Sequence, residues 1–308
     1  MGYAAAIPDH DRGRAPAPPP PQAHAGIGDS VRPSAPLKAS DWLEAFSRIA
    51  DDVRRAVAPL SGTEGGRRAH SRGAGGDTTV EVDRVAEAAV FAELERLRDR
   101  GERFSVLSEE AGPRDFGAEF PLVLVDPVDG SVNAKQGVPL FGLMLAVLDG
   151  PTVGDAFAGL VVNLATGGAW SAVRGEGATR DGEPFKVLKR TPGGRFEVVG
   201  LESTPRALAL AGPLVESAAK IRILGSMAIS LALTATGALD AFCAPIPVRV
   251  FDTAASLLLV REAGGVATTL DGEPLDRLRC DLSTRATILC APTPELHAAA
   301  LRTLRETR

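Results

Sequence analysis

Cysteine is scarce in this chain. Cys243, Cys280 and Cys290 are the only three in 308 residues, and none stands in a C-x-x-C pair. An odd set without paired spacing argues against a disulfide framework and against a thiolate zinc site. Such thiols suit a reducing cytoplasm, which is the expected location. Long apolar runs are also missing. None approaches the roughly 20 residues that a membrane-spanning helix needs, and the N-terminal stretch lacks the apolar centre of a secretory leader, so neither membrane nor leader is expected. Positive charge is not in excess. Lys and Arg total 34 against 39 Asp and Glu, a net charge of -5, which argues against a nucleic-acid surface. A negative chain that engages a phosphate ester needs cations to reconcile the two charges. No internal repeat is visible, which excludes solenoids and propellers.

What is present is ordinary for a globular protein: 44% hydrophobic and 24% charged residues, with length enough for one large domain or two medium ones. Residues 1–38 are a separate regime. The run Ala15-Pro16-Ala17-Pro18-Pro19-Pro20-Pro21 fits neither a helix nor a central strand. This tail reads as a disordered or polyproline-like extension, either passive or a ligand of the SH3 type. The expected division is then residues 39–190, an α+β domain, and residues 191–308, an α/β domain that completes the site.

Order is expected from Ser40. Leu43, Phe46, Ile49, Val53 and Val57 recur at helical spacing until Pro59. Residues 61–76 are Gly-, Arg- and Ser-rich and predict a mobile loop. A short strand over Thr78–Val82 and a helix over Asp83–Arg100 follow, then strands at Phe104–Leu107 and 122–125. Phe141–Leu148, Val153–Val162 and Ala169–Val173 predict antiparallel strands. Beyond residue 190 the rhythm alternates. Strands are expected at 196–199, 221–224, 239–242, 266–269 and 287–290, and helices at 205–219, 226–237, 252–263 and from Pro294. The fold class is therefore α/β, with an α+β first half.

The chemistry concentrates in Leu122–Asn133, LVLVDPVDGSVN. Four apolar residues suited to a buried strand deliver Asp126 and Asp129 to a turn stiffened by Pro127. Two carboxylates at such a turn can share hard cations. Gly130 lets backbone N–H groups approach an anion, and a helix starting near Ser131 favours phosphate at its N-terminus. Taken alone, the stretch also reads as an Asx-turn with solvated acids. Glu109-Glu110 alone reads as a solvated turn, and Asp252 alone as a helix cap. Their combination with Asp83 points to one edge of a sheet where acids converge.

The set resembles the inositol monophosphatase family, among the lithium-sensitive, Mg2+-dependent sugar phosphatases. Ser108-Glu109-Glu110 is similar to G-E-E. Asp126-Pro127-Val128-Asp129-Gly130-Ser131-Val132-Asn133 is similar to D-P-[IL]-D-G-[ST]-x-N. Phe251-Asp252-Thr253-Ala254-Ala255 with Glu262-Ala263-Gly264-Gly265 is similar to W-D-x-A-A…E-A-G-G, and Asp77–Asp83 is similar to D-x-V-T-x-x-D. The stretch Gly237–Asp252 looks closest to the archaeal-type branch, whose members hydrolyse fructose 1,6-bisphosphate and inositol phosphate.

The resemblance implies a layered αβαβα sandwich, usually dimeric, and two or three Mg2+ ions. It implies that Glu110, Asp126 and the Val128 carbonyl bind the first ion, and that Asp126, Asp129 and Asp252 bind the second, with Glu109 nearby. Asp83, Ser131 and Glu110 would serve catalysis, Asp83 and Ser131 by orienting and deprotonating water. Asp129, Gly130, Ser131, Met227 and Asp252 would face the substrate. Arg222 and Arg249 read either as phosphate or hydroxyl contacts or as structural ion pairs. Cys243-Ala244-Pro245 stands where relatives carry a Glu or an Arg, Ser131 where Thr is commoner, Ala134 where Phe is usual, and Phe251 where Trp is usual. The implied activity is hydrolysis of an inositol or sugar phosphate. Hydrolysis of 3′-phosphoadenosine nucleotides or histidinol phosphate, and a silent dimeric binding protein, are the alternatives.

Overall fold

The computed structural model describes residues 36–76, 78–185, 187 and 195–306. The Pro-rich tail to residue 35, Asp77 and the division near residue 190 lie outside them. In chain order the first elements are α1 (Ala39–Val57), β1 (Ala69–Arg72), β2 (Thr78–Val80), α2 (Glu81–Asp99), β3 (Phe104–Ser108), β4 (Gly112–Asp129), α3 (Ser131–Gln136) and β5 (Gly142–Leu148). Next come β6 (Ala156–Asn163), β7 (Ala169–Val173), β8 (Gly177–Arg180), β9 (Glu183–Pro184), β10 (Phe196–Leu201), α4 (Pro205–Leu210), α5 (Gly212–Glu216) and β11 (Ala218–Arg222). The chain closes with α6 (Met227–Ala235), β12 (Ala241–Arg249), α7 (Ala254–Glu262), β13 (Val266–Thr268), β14 (Arg285–Ala291) and α8 (Pro294–Arg305).

The elements stack as αβαβα. Helices α1 and α2 cover the outer face of a seven-stranded sheet of order β3-β4-β5-β6-β7-β8-β9. Its other face packs on α6 and α7. These two helices rest in turn on a five-stranded sheet of order β11-β10-β12-β14-β13, which α4, α5 and α8 cover. Helix α1 forms because Trp42, Phe46, Ile49, Val53 and Val57 make one buried stripe. The Asp41 carboxylate accepts from the Lys38 N–H at 2.8 Å and secures its first turn. Strand β5 is buried at every position, as an apolar run between two sheet neighbours must be. The middle core joins Leu124 and Met144 of the first half to Phe242 and Phe251 of the second, so the two halves share one apolar interior. Among the described residues no helix is long and apolar enough to cross a membrane.

Several expectations need correction. Residues 69–72 are not a loop: β1 pairs antiparallel with β2, an exposed ribbon whose pairing, not burial, makes it a strand. The strand over 122–125 extends back to Gly112. Its first arm, 112–117, runs antiparallel to β3, and its second, 122–125, runs parallel to β3 on the other side. The helix over 205–219 is two short helices, because Pro213 begins a new one and its missing N–H cannot continue the old. Strand β11 starts at Ala218, earlier than expected, and β12 runs on to Arg249.

Helix α8 carries a buried titratable group. His297 lies 2.9 Å by Nε2 from the Thr268 hydroxyl, and burial pushes its imidazole below the ordinary 6.5, a backbone contact at Leu289 pulling less strongly the other way. The folded state therefore takes up this proton less readily than the unfolded one. The stabilisation is complete above the ordinary value and is lost as pH falls from it through the folded value. We expect the melting temperature of the wild type to drop more steeply from pH 7.5 to pH 5 than that of His297→Gln. Parallel slopes would remove His297 from the acid response.

Candidate active site

The site lies where β4 ends. Asp126 lies within the buried run 123–128, 2% exposed, and its Oδ1 accepts from the Val128 N–H at 3.1 Å, closing the turn. The Ser131 hydroxyl donates to the Val128 carbonyl at 3.0 Å. Gly130 takes φ +91°, which opens the turn into α3. The Asn133 amide then donates to the carbonyls of Leu140 at 2.6 Å and Leu224 at 2.7 Å, fastening this loop to the approach of α6. Asp129 reaches across to α6, where it accepts from the Ser226 hydroxyl, the Met227 N–H at 3.1 Å and the Ala228 N–H at 2.8 Å. An acid at a helix N-terminus gains from the dipole there.

Asp252 arrives from the second half, on a 3-10 turn over Phe251–Thr253 whose Phe251 is fully buried. Glu109, Asp126 and Asp252 each bring a carboxylate oxygen within 4.8 Å of the others, and together can hold a metal ion. Glu109, expected nearby, joins Asp126 and Asp252 in this group, and Glu110 lines the same inner cavity. Glu110 turns toward the β1–β2 ribbon and accepts from the Thr79 hydroxyl. Asp83 is nearly buried and lines the same cavity, and its Oδ2 accepts from the Val80 N–H at 2.9 Å at the start of α2.

The tip of the ribbon drapes over these acids. The Ala74 N–H donates to the Glu110 carbonyl at 3.0 Å and the Gly75 N–H to the Glu109 carbonyl at 2.7 Å. A Cβ on Gly73 would meet the Glu110 carboxylate, and one on Gly75 the Arg249 guanidinium and Glu109, so a side chain at either position would displace these groups. The Gly-rich composition marks these positions in the sequence, but not what they approach. Thr79, Ser226 and the glycines of the tip belong to the site and carry no motif of their own.

Electrostatics favour a cation here. Burial first, then the charges of Glu109, Asp129 and Asp252, push the Asp126 carboxyl well above its usual range. Burial and the Glu109 charge push Asp252 up to about 7, although Arg249 opposes this. Burial and, against the pull of Thr79, the charges of Asp83 and Glu109 push Glu110 up to about 7. Burial also raises Glu109 and Asp129. Asp252 Oδ1 is buried with no hydrogen-bond partner. Hard oxygen donors, crowded and out of water, match a hard divalent cation.

Arg249 is the resident counter-charge. Its guanidinium donates to Asp252 at 2.7 Å, to the Gly75 carbonyl at 2.9 Å and to Glu109. Of its two readings, the structure displays the ion pair. Met227 lines an outer cavity of about 680 Å³ that continues from an inner one of about 570 Å³ over the acids. Arg222 ends an edge strand, is exposed, donates to the Ile221 carbonyl at 2.9 Å, and is not among the residues lining either cavity.

A layered αβαβα frame with carboxylates gathered at a strand-to-helix turn defines a metal-assisted class of phosphate-ester site. The family model of the inositol monophosphatase family matches residues 41–308. A fructose-1,6-bisphosphatase/inositol-1-monophosphatase of Methanothermobacter thermautotrophicus is 34% identical over 284 residues, covering 85% of this chain and 96% of that protein. One of the same name from Archaeoglobus fulgidus is 35% identical over 86% of this chain and 98% of its own length. A solved structure from Pyrococcus horikoshii, described as similar to inositol-1 monophosphatase, superimposes with a TM-score of 0.73 at 26% identity, covering 86% of this chain and 99% of that one. The chain belongs to the inositol monophosphatase family, and its pattern is that of the archaeal branch.

Proposed function

We infer that this chain is a phosphoric monoester hydrolase that acts, with Mg2+, on an inositol phosphate or a sugar phosphate such as fructose 1,6-bisphosphate. The observation that carries the reading is the convergence of Glu109, Asp126 and Asp252 from distant parts of the chain beside the Asp129–Ser131 turn. Asp126, Asp129 and Asp252, with Glu109 or Glu110 and the Val128 carbonyl, would hold two or three ions. Bound there, divalent cations neutralise phosphoryl oxygens and acidify water.

The chain's own groups supply the rest. The N–H groups of Gly130 and Ser131 hold phosphate oxygens at the open end of α3. Asp83, Ser131 and Glu110, which line the inner cavity, orient the attacking water and receive its proton. Arg249 holds Glu109 and Asp252 in register, a positioning role. No residue here has to become phosphorylated, since water attacks directly. Met227 and Asp252 border the space for the alcohol. The working form we propose is a cytoplasmic homodimer.

Phosphate release from inositol 1-phosphate, fructose 1,6-bisphosphate and histidinol phosphate tests this. Release with Mg2+ that disappears with EDTA and returns on adding Mg2+ is expected for at least one sugar or polyol ester. No Mg2+-dependent release from any of the three would overturn the reading.

A further inference from the structure

The two ends of the cavity carry opposite charge. The floor is acidic, as described. The outer mouth is lined by Arg72, Arg249 and Arg285. The pairing of β12 with β14 sets Arg249 directly opposite Arg285. Like charges facing each other across an antiparallel pair are destabilising unless each is answered. Arg249 is answered by Asp252 and Glu109. Arg285 is not: it donates to the neutral carbonyls of Leu282 at 3.3 Å and Ser283 at 2.9 Å. Arg72, at the end of the ribbon, donates to the Gly76 carbonyl at 2.6 Å. Among the described residues no ion pair within 4.0 Å involves Arg72 or Arg285. The one lining acid outside the floor, Glu202, already accepts from the Ser203 hydroxyl at 3.0 Å and from the Thr204 N–H and hydroxyl at 3.1 and 2.9 Å.

Each guanidinium has five N–H donors, most of them uncommitted here. Two such forks at the mouth of one cavity match the oxygens of a dianion. We propose that Arg72 and Arg285 form a subsite for a second phosphoryl group, so that the preferred substrate is a bisphosphorylated sugar or polyol. Its reacting phosphate lies at the Asp126–Ser131 turn and its other phosphate at the arginine mouth. The proposal rests on the phosphatase reading above. It places specificity on residues that carry none of the family signatures and gives no such role to Arg222.

The test compares matched substrates in Mg2+: fructose 1,6-bisphosphate against fructose 1-phosphate, and inositol 1,4-bisphosphate against inositol 1-phosphate. In at least one pair the wild type should have the lower KM for the bisphosphate. Arg285→Ala and Arg72→Ala should each raise that KM about 10- to 100-fold, the worth of a charge-assisted hydrogen bond. KM for the matched monophosphate should change less than about twofold, and kcat little for either. Arg285→Lys, which keeps the charge and loses the fork, should fall between. The monophosphate arm also reports folding, since a misfolded variant loses both activities, and Arg72→Ala then decides because its side chain makes only one local contact. Equal KM for both members of each pair, or variants that affect both members alike, would overturn the subsite and leave the hydrolase intact. Release from none of the four esters would instead remove the hydrolase reading itself and the subsite with it.

Discussion

Asp126→Asn is expected to abolish turnover, by about a thousandfold or more, and to leave a protein that is folded and more resistant to heat without metal. The activity loss follows from removing a carboxylate at the centre of the proposed ion site. If that costs about 4 kcal/mol of transition-state stabilisation, the rate falls about a thousandfold. The stability gain follows from the same burial. Asp126 is 2% exposed among Glu109, Asp129 and Asp252, and an amide of the same shape relieves that repulsion. A gain on the order of 1 kcal/mol is in line with removing functional strain. The Asn Oδ1 still accepts from the Val128 N–H, so the turn survives. Mg2+ should raise the melting temperature of the wild type, by about 2.7 kcal/mol of stability at a hundredfold excess over Kd, and raise that of the variant much less. Phosphate release and thermal melts with and without Mg2+ measure both effects. A variant with wild-type turnover would end the assignment of Asp126. A wild type that binds phosphate esters without turnover would identify a silent binding protein.

Gly130→Ala should be nearly as damaging for a different reason. Gly130 has φ +91°, and an added Cβ would lie 2.8 Å from the Gly225 carbonyl and 3.3 Å from Ser226 Cβ. Both contacts belong to the segment that leads into α6 and receives Asp129. Neither is the loose end of a side chain, so the turn and the helix entry must move apart. Backbone strain and the clash together cost about 2–4 kcal/mol. A displacement of 1 Å at reacting groups is worth about a hundredfold in rate. Denaturant unfolding should show the loss of stability, and kcat/KM at 20 °C, where the variant remains folded, the loss of activity. Unchanged kcat/KM would show that this turn does not position the phosphate.

Much of the site was legible because its chemistry is local. The strand into Asp126 reads as an apolar run, and Pro127 with Gly130 marks the turn. Asp252 is announced by its motif, although only the fold brings it to Asp126. What was illegible depends on partners distant in the chain. The arm Gly112–Gly117 is polar and contains Gly and Pro, and it becomes a strand because β3 offers it a free edge. The ribbon at 69–72 is exposed throughout, so it has no alternation to read. Glu109 and Glu110 are adjacent acids, and which one faces Asp126 depends on how the ribbon tip docks on them. The break at Ala211 was legible in Gly212-Pro213, but the apolar spacing masked it. Arg222 reads as a phosphate or hydroxyl contact from its guanidinium alone, whereas its place on the edge strand β11 depends on pairing that no local pattern shows.

The donors come from both sides of the central helical layer. Glu109, Asp126 and Asp129 belong to the seven-stranded half, whereas Asp252 follows the last residues of β12 in the five-stranded half, and Asp129 is itself clasped by α6 between them. Neither half severed from the other would carry the full set of carboxylates. Loosening the seam between the sheets therefore disperses the carboxylate cluster before either sheet has to melt.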